Sequence, residues 1–305
     1  MVLAYHFGPF NIGRQGVGIF FVLSGYLITT NLLREQERSG SINLRSFYIR
    51  RFFRLMPTAW ALLAVAGLLG LADAPDLTSC VFFYRNYLTH PHKFTTNPFW
   101  SLSIEEQFYL VWPATLLLLG RRRARTVAIL AACGFALWRF LTPASFLEEY
   151  WRWTQFHADA LLVGCFFALT PLPKLSRWAF WPLVGVLVAC VYAFPVIPPF
   201  GESIVIAWLI HTTAQGAIPA AQNILNFKPI AQIGVMSYSI YVWNFPFYGI
   251  PHSTPLGLLM AMGCVGLMTF VSFYCIENPC RQFGARLVRR LQVPKPVKEL
   301  TTASS

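Results

Sequence analysis

Residues 16–73 read GVGIFFVLSGYLITTNLLREQERSGSINLRSFYIRRFFRLMPTAWALLAVAGLLGLAD. Two apolar runs, 16–33 and 56–73, are each long enough to cross a hydrocarbon core of roughly 30 Å as a helix. Between them lie Arg34, Arg38, Arg45, Arg50, Arg51 and Arg54. An apolar, basic, apolar order of this length is the pattern of two membrane helices joined at a positively charged loop.

Working outward, further apolar runs follow at 104–119, 126–142, 154–170, 178–195, 203–220, 230–250 and 255–276. Ahead of them MVLAYHFG reads as the last part of another helix ending at Pro9, too short to span on its own. The expected fold is therefore all-α: a polytopic membrane bundle of about ten transmembrane helices, the first one truncated. Residues 1–283 are expected to form the transmembrane domain and 284–305 a basic and polar cytoplasmic tail. Composition agrees, because 56% of the 305 residues are hydrophobic, only 12% are charged, and the mean hydropathy is +0.52. A soluble domain is about a quarter charged.

A net charge of +12 raises the question of nucleic acid, and the placement of the basic residues answers it. Besides the six arginines above, Arg121, Arg122, Arg123 and Arg125 follow the run at 104–119. Lys174, Arg177 and Lys228 sit in later loops of the same parity, and Arg281, Arg286, Arg289, Arg290, Lys295 and Lys298 close the chain. Loops of the opposite parity hold chiefly Arg14, Arg85, Lys93 and Arg152. By the positive-inside rule the first set and the C-terminus are cytoplasmic, so the charge is topology and membrane lipid, not nucleic acid. The expected location is the inner (plasma) membrane. Trp100, Trp112, Trp151, Trp153, Trp178, Trp181 and Trp243 fall near expected helix ends, where indole rings favour the headgroup level.

Ionisable groups in or beside an apolar span are costly, so each is a candidate. His6 lies toward the outer side, either as an interfacial histidine bonded to a carbonyl or as a reactive group. In FWSLSIEEQFYLVWP, Ser103 and Glu106 have capping-box spacing, which gives Glu106 a structural task and leaves Glu105, at a membrane boundary, as either the functional candidate or a carboxylate simply solvated at the headgroup level. In SFYIRRFFRLMP, Arg50, Arg51 and Arg54 alternate with aromatics, suiting either anionic lipid or the phosphates of a ligand. His157 and Asp159 stand two apart and cannot share a helix face; Asp159 suits a first helical turn. Gly16, Gly18 and Gly25 read as close-packing residues. Cys80, Cys133, Cys165, Cys190, Cys264, Cys275 and Cys280 show no metal-binding spacing, and neither a disulfide framework nor a metal is expected. No P-loop, GxSxG or HExxH motif occurs.

Taken together, His6 with GVGIFFVLSGYLIT, FYIRRFFRLMP, FWSLSIEEQFYLVWP, ADALLVGC, IGVMSYSIYVWNFP and ENPCRQF, in that order, resemble the acyltransferase 3 family of membrane-bound bacterial O-acyltransferases. The resemblance implies a ten-helix bundle that takes an acyl group, usually acetyl, from cytosolic acyl-CoA to a hydroxyl on a carbohydrate, lipid-linked sugar or secreted small molecule. It implies that His6 is the essential histidine, as general base or acyl carrier, that Glu105 orients it or contacts the acceptor, and that Arg50, Arg51 and Arg54 form the basic stretch binding CoA phosphates. The pantetheine arm would then thread between helices toward His6.

Three departures accompany the resemblance. Family members open with a complete first helix after an (I/L)DGLRA-like segment, whereas this chain starts later. Asn244 and His157 stand where the family often has His and Arg. The short tail leaves no room for an appended SGNH-type hydrolase domain, so a stand-alone form is expected. Readings from other classes are a transporter or flippase, which would move substrate without consuming acyl-CoA, and a non-catalytic partner in polysaccharide assembly, in which His6 would be dispensable.

Overall fold

A computed structural model describes residues 13–88, 94–192, 199–247 and 254–292. His6 and the MVLAYHFG segment lie outside them. Among the described residues all regular structure is helical. In chain order the helices are α1 (Gly13–Ser39), α2 (Leu44–Leu68), α3 (Ala74–Val81), α4 (Phe99–Leu141), α5 (Ala144–Tyr150), α6 (Ala158–Leu169) and α7 (Arg177–Tyr192). They continue with α8 (Pro199–Ala214), α9 (Pro219–Asn226), α10 (Lys228–Val235), α11 (Ser237–Trp243), α12 (Pro255–Ser272) and α13 (Asn278–Gln292). Local chemistry sets several starts: Asn43, Asp73 and Thr254 each accept a bond from the backbone N–H three residues on, at α2, α3 and α12.

Among the described residues, three stretches are long and apolar enough to cross a membrane: Gly16–Ser39, Phe99–Leu141 and Pro255–Gln292. A fourth is added if Phe200–Ala214 and Pro219–Asn226, bent by 85°, count as one span. The shortfall against the ten expected has identifiable causes. The 12-residue α6 rises only about 18 Å. The run at 230–250 is divided at Met236 into α10 and α11, and α2 spends its first turns on Arg45, Arg50, Arg51 and Arg54.

The 43-residue α4 contains the runs expected at 104–119 and 126–142, with a break at Gly120 (φ 69°, ψ 169°), a backbone region that favours glycine. The chain doubles back there. Gln107, before the break, accepts a bond from Thr154, and Arg139, after it, donates to the Phe156 carbonyl and to Asp159. On a straight helix those two residues would be roughly 48 Å apart.

The tightest packing is between α1 and α6. A Cβ on Gly25 would lie 1.9 Å from the Leu161 carbonyl oxygen, and one on Gly164 would lie 2.1 Å from that of Val22. Gly25 therefore has the packing task expected of it. Gly18 does not, since a Cβ there meets nothing within 4 Å.

At the other end of the chain, α12 passes through a π-helical turn, Phe273–Glu277, into α13. The latter runs through residue 284 and packs on α2, with Gly284 against Phe53, Val288 buried and the Gln292 amide donating to Ser46 Oγ at 3.3 Å. The expected domain boundary at 283/284 thus falls inside one packed helix.

Candidate functional site

Glu105 is the seventh residue of α4, so it sits about 9 Å beyond the helix start, inside the bundle and not at its edge. It is 1% exposed. Its Oε1 accepts from two hydroxyls: Ser24 of α1, and Tyr109 one turn further along α4, at 2.5 Å. A buried carboxylate needs such donors, because each unpaired polar group in an apolar interior costs of order 1–3 kcal/mol or more.

Tyr109 serves a second neighbour. The Arg51 guanidinium lies over its ring, 3.6 Å from the centroid, a desolvated cation–π contact. One residue after Tyr109, the Leu110 carbonyl accepts a bond from Tyr48 at 2.9 Å, a second link between α2 and α4. One turn below Tyr109, Trp112 Nε1 donates to Thr29 (2.8 Å), which donates to the Gly25 carbonyl (2.8 Å), tying α4 to the closely packed face of α1.

The three candidate arginines part company. Arg51 points into the junction of α2 with α4, and Arg54 is exposed one turn away. Arg50 is exposed and pairs with Glu35 at 3.1 Å, so it faces away from Arg51.

The capping box expected at Ser103 and Glu106 is overturned. Helix α4 begins at Phe99 with Pro98 ahead of it and no side-chain cap, which places Ser103 and Glu106 inside the helix. Ser103 Oγ and Glu106 Oε1 are buried without a hydrogen-bond partner among the described residues.

Toward the α4 start, Gln107, Asn86 and Thr154 close a ring of hydrogen bonds. Asn86 Nδ2 donates to Thr154 Oγ1 (3.0 Å), Thr154 Oγ1 to Gln107 Oε1 (2.5 Å), and Gln107 Nε2 to Asn86 Oδ1 (3.0 Å). Beside it Trp100, Trp151 and His157 form an aromatic group, the Trp100 ring centroid being 4.9 Å from Trp151 and 5.3 Å from His157. Asp159 does stand in the first turn of α6, and beyond the helix dipole it has a bidentate partner in Arg139, at 2.6 and 3.1 Å. Asn244 is fully buried, its amide nitrogen donating to the Ile240 and Tyr241 carbonyls. Ser239 donates to Glu277 Oε2 at 2.6 Å, inside the π-helical turn.

Sequence reasoning singled out Glu105 and Arg51 and missed the residues that join them. Tyr109 was detectable in principle, four residues after Glu105 and therefore on the same face. Ser24, from a distant helix, carries no such signal.

The family model described as an acyltransferase domain, Acyl_transf_3, matches residues 1–277. Among curated proteins, the chain is 29% identical to YrhL of Bacillus subtilis, a candidate peptidoglycan O-acetyltransferase, over 99% of this chain and 56% of that protein. It is 29% identical to the peptidoglycan O-acetyltransferase OatA of Listeria monocytogenes, over 93% of this chain and 54% of the relative. Against the O-acetyltransferase OatA of Staphylococcus aureus the identity is 28%, over 93% and 55%. The chain spans about half the length of these relatives. No solved structure matches it. A model match over nine-tenths of the chain, with Glu105 and Arg51 meeting at Tyr109 inside a helical membrane protein, makes this chain a member of the acyltransferase 3 family.

Proposed function

We propose that this chain is a multi-pass O-acetyltransferase of the inner membrane, of about ten passes with a cytoplasmic C-terminus, which moves an acetyl group from cytosolic acetyl-CoA to a hydroxyl of a cell-wall carbohydrate. The observation that carries the reading is Glu105, a carboxylate buried mid-bundle, with the Arg51 cation one residue contact away through Tyr109. Such a site joins a basic entrance to a polar interior, which transfer across a membrane requires. The names of the relatives support O-acetylation as the reaction and peptidoglycan as the first acceptor to try.

In this mechanism Arg51 and Arg54 take the phosphates of CoA, with Arg50 held at the rim by Glu35. The acceptor oxygen attacks the thioester carbonyl, the C–S bond breaks, and the CoA thiolate leaves. His6 either removes the hydroxyl proton during attack or accepts the acyl group first and passes it on. Glu105, fixed by Ser24 and Tyr109, orients His6 or the acceptor.

The test supplies membranes containing the chain with radiolabelled acetyl-CoA and peptidoglycan, and compares wild type with His6→Ala and Glu105→Gln. Label entering glycan with wild type and at least about 100-fold less with either variant supports the reading, a loss typical of groups that act on the reacting atoms. Label transfer unaffected by both substitutions sinks it.

A further inference from the structure

The segment between α5 and α6, WRWTQFH (151–157), interleaves aromatic and polar residues, and the fold holds it at several points. Thr154 belongs to the hydrogen-bonded ring with Asn86 and Gln107, and His157 Nε2 donates to the Trp151 carbonyl at 2.8 Å. Because Asn86 directly follows Arg85, the same ring draws Arg85 and Arg152 into each other's electrostatic reach.

The two cations are not equally provided for. Arg85 is enclosed and pairs with Asp76 at 3.1 Å. Arg152 is half-buried, with its guanidinium carbon 5.1 Å from the Trp151 ring centroid, and among the described residues no carboxylate pairs with it. Its Nε–H is buried and finds no acceptor among the described residues. Burial, and after it the Arg85 cation, push the Arg152 pKa below its ordinary range, yet a guanidinium stays charged. A half-enclosed charge that cannot be neutralised, with a second cation nearby, is best satisfied by an anion brought from outside.

This cation stands close to the Glu105 site. Tyr241 of α11 lies within electrostatic reach of both Arg152 and Glu105, and its hydroxyl is hydrogen-bonded to that of Ser101. Ser101 is one turn before Glu105 on the same face of α4, about 6 Å along the helix. Beside Arg152 the Trp151 ring stays exposed, backed by Trp100 at 4.9 Å. An exposed indole suits the C–H face of a sugar ring, and a fixed cation next to it suits a negative substituent on that ring. By the topology proposed above, this is the outer end of the bundle, where an exported acceptor arrives.

We infer that Arg152 is a specificity-determining residue of the acceptor site, binding a carboxylate or phosphate carried on the acceptor while Trp151 supports its sugar ring, so that acidic sugars are acetylated in preference to neutral ones. This rests on the carbohydrate acceptor assigned under Proposed function. A lipid headgroup offers the same phosphate chemistry, and the experiment separates the two.

The experiment measures acetyl transfer from radiolabelled acetyl-CoA by the full chain in phosphatidylcholine nanodiscs to two matched pairs of acceptors. One pair is glycan strands stripped of peptide, with free lactyl carboxylates, against the same strands as methyl esters; the other is N-acetylglucosamine 1-phosphate against N-acetylglucosamine. Wild type is expected to prefer the charged member of a pair about tenfold or more in kcat/KM, chiefly through KM, and Arg152→Gln to bring that ratio close to one. The pair showing the preference identifies the group as carboxylate or phosphate. Should Arg152→Gln not fold, Arg152→Lys, which keeps the charge and loses the bidentate fork, is expected to cut the preference about threefold. Equal use of both members of each pair by wild type overturns the assignment. So does a preference that survives Arg152→Gln, including the case in which both members slow alike, the result expected of a cation seated on a lipid headgroup. Wild type that binds acetyl-CoA and labels none of these acceptors overturns the carbohydrate acceptor itself.

Discussion

The Tyr109 hydroxyl bonds Glu105 while the face of its ring carries the Arg51 guanidinium, so one side chain holds an anion at its tip and a cation on its plane. The two roles are separable. Tyr109→Phe keeps the ring under Arg51 and removes one donor to Glu105, whereas Tyr109→Leu removes both. A hydrogen bond to a charged group contributes about 1.5–3 kcal/mol, so Tyr109→Phe is expected to slow acetyl transfer about 10- to 100-fold while leaving acetyl-CoA affinity near wild type. Tyr109→Leu should reduce both, as read by radiolabel transfer and by equilibrium binding.

The adjacent arginines should behave differently. Arg50→Ala breaks an exposed pair with Glu35, and the apparent melting temperature in detergent should barely move, since such pairs contribute about 0–1 kcal/mol. Arg54→Ala removes an exposed cation from the proposed phosphate site and should weaken acetyl-CoA binding about tenfold, a loss that grows as salt is lowered.

Gly25 and Gly164 meet the backbone of the facing helix, not a movable side chain. Adding a methyl to either forces α1 and α6 apart, and each alanine variant should lose about 2 kcal/mol or more of stability. Gly18→Ala, with open space around it, should have no such effect. Thermal unfolding of the purified variants checks the contrast.

Arg139 and Asp159 form a largely buried bidentate pair, with side-chain exposures of 14% and 1%. Removing one partner, as in Arg139→Ala or Asp159→Leu, should destabilise by about 3–5 kcal/mol because a buried charge is left alone. Arg139→Met combined with Asp159→Leu should recover much of that loss. Additive losses in the double variant would show that the two do not act as a pair.

The membrane class, the helical fold and the paired runs within α4 were legible because they depend on periodicity, run length and charge placement, all local properties. Glu105 and Arg51 were legible because ionisable groups are conspicuous among apolar residues. What joins them was not: Ser24 and Arg51 reach the α4 site only through tertiary packing, and spacing along the chain carries no trace of it. The capping box failed for a related reason. The pattern at Ser103 and Glu106 is genuine, but Trp100, Ser101 and Leu102 are also helical, so the helix begins a turn earlier and the cap positions become interior ones. Asp159 shows the same limit, since its place in the first turn of α6 was readable and its partner Arg139, across the fold, was not.

The reversal at Gly120 makes the two halves of α4 the legs of a calliper. One leg grips the Thr154 ring of hydrogen bonds through Gln107, and the other grips Asp159 through Arg139. Both grips fall on the segment that bears Trp151 and His157, so the aromatic group is held from two sides by a single stretch of chain. Any widening of the gap between the legs is absorbed most cheaply by rotation about the one residue whose backbone lies at φ 69°. The turn that sets the two legs side by side is thus a glycine at the far end of the hairpin, remote from both grips.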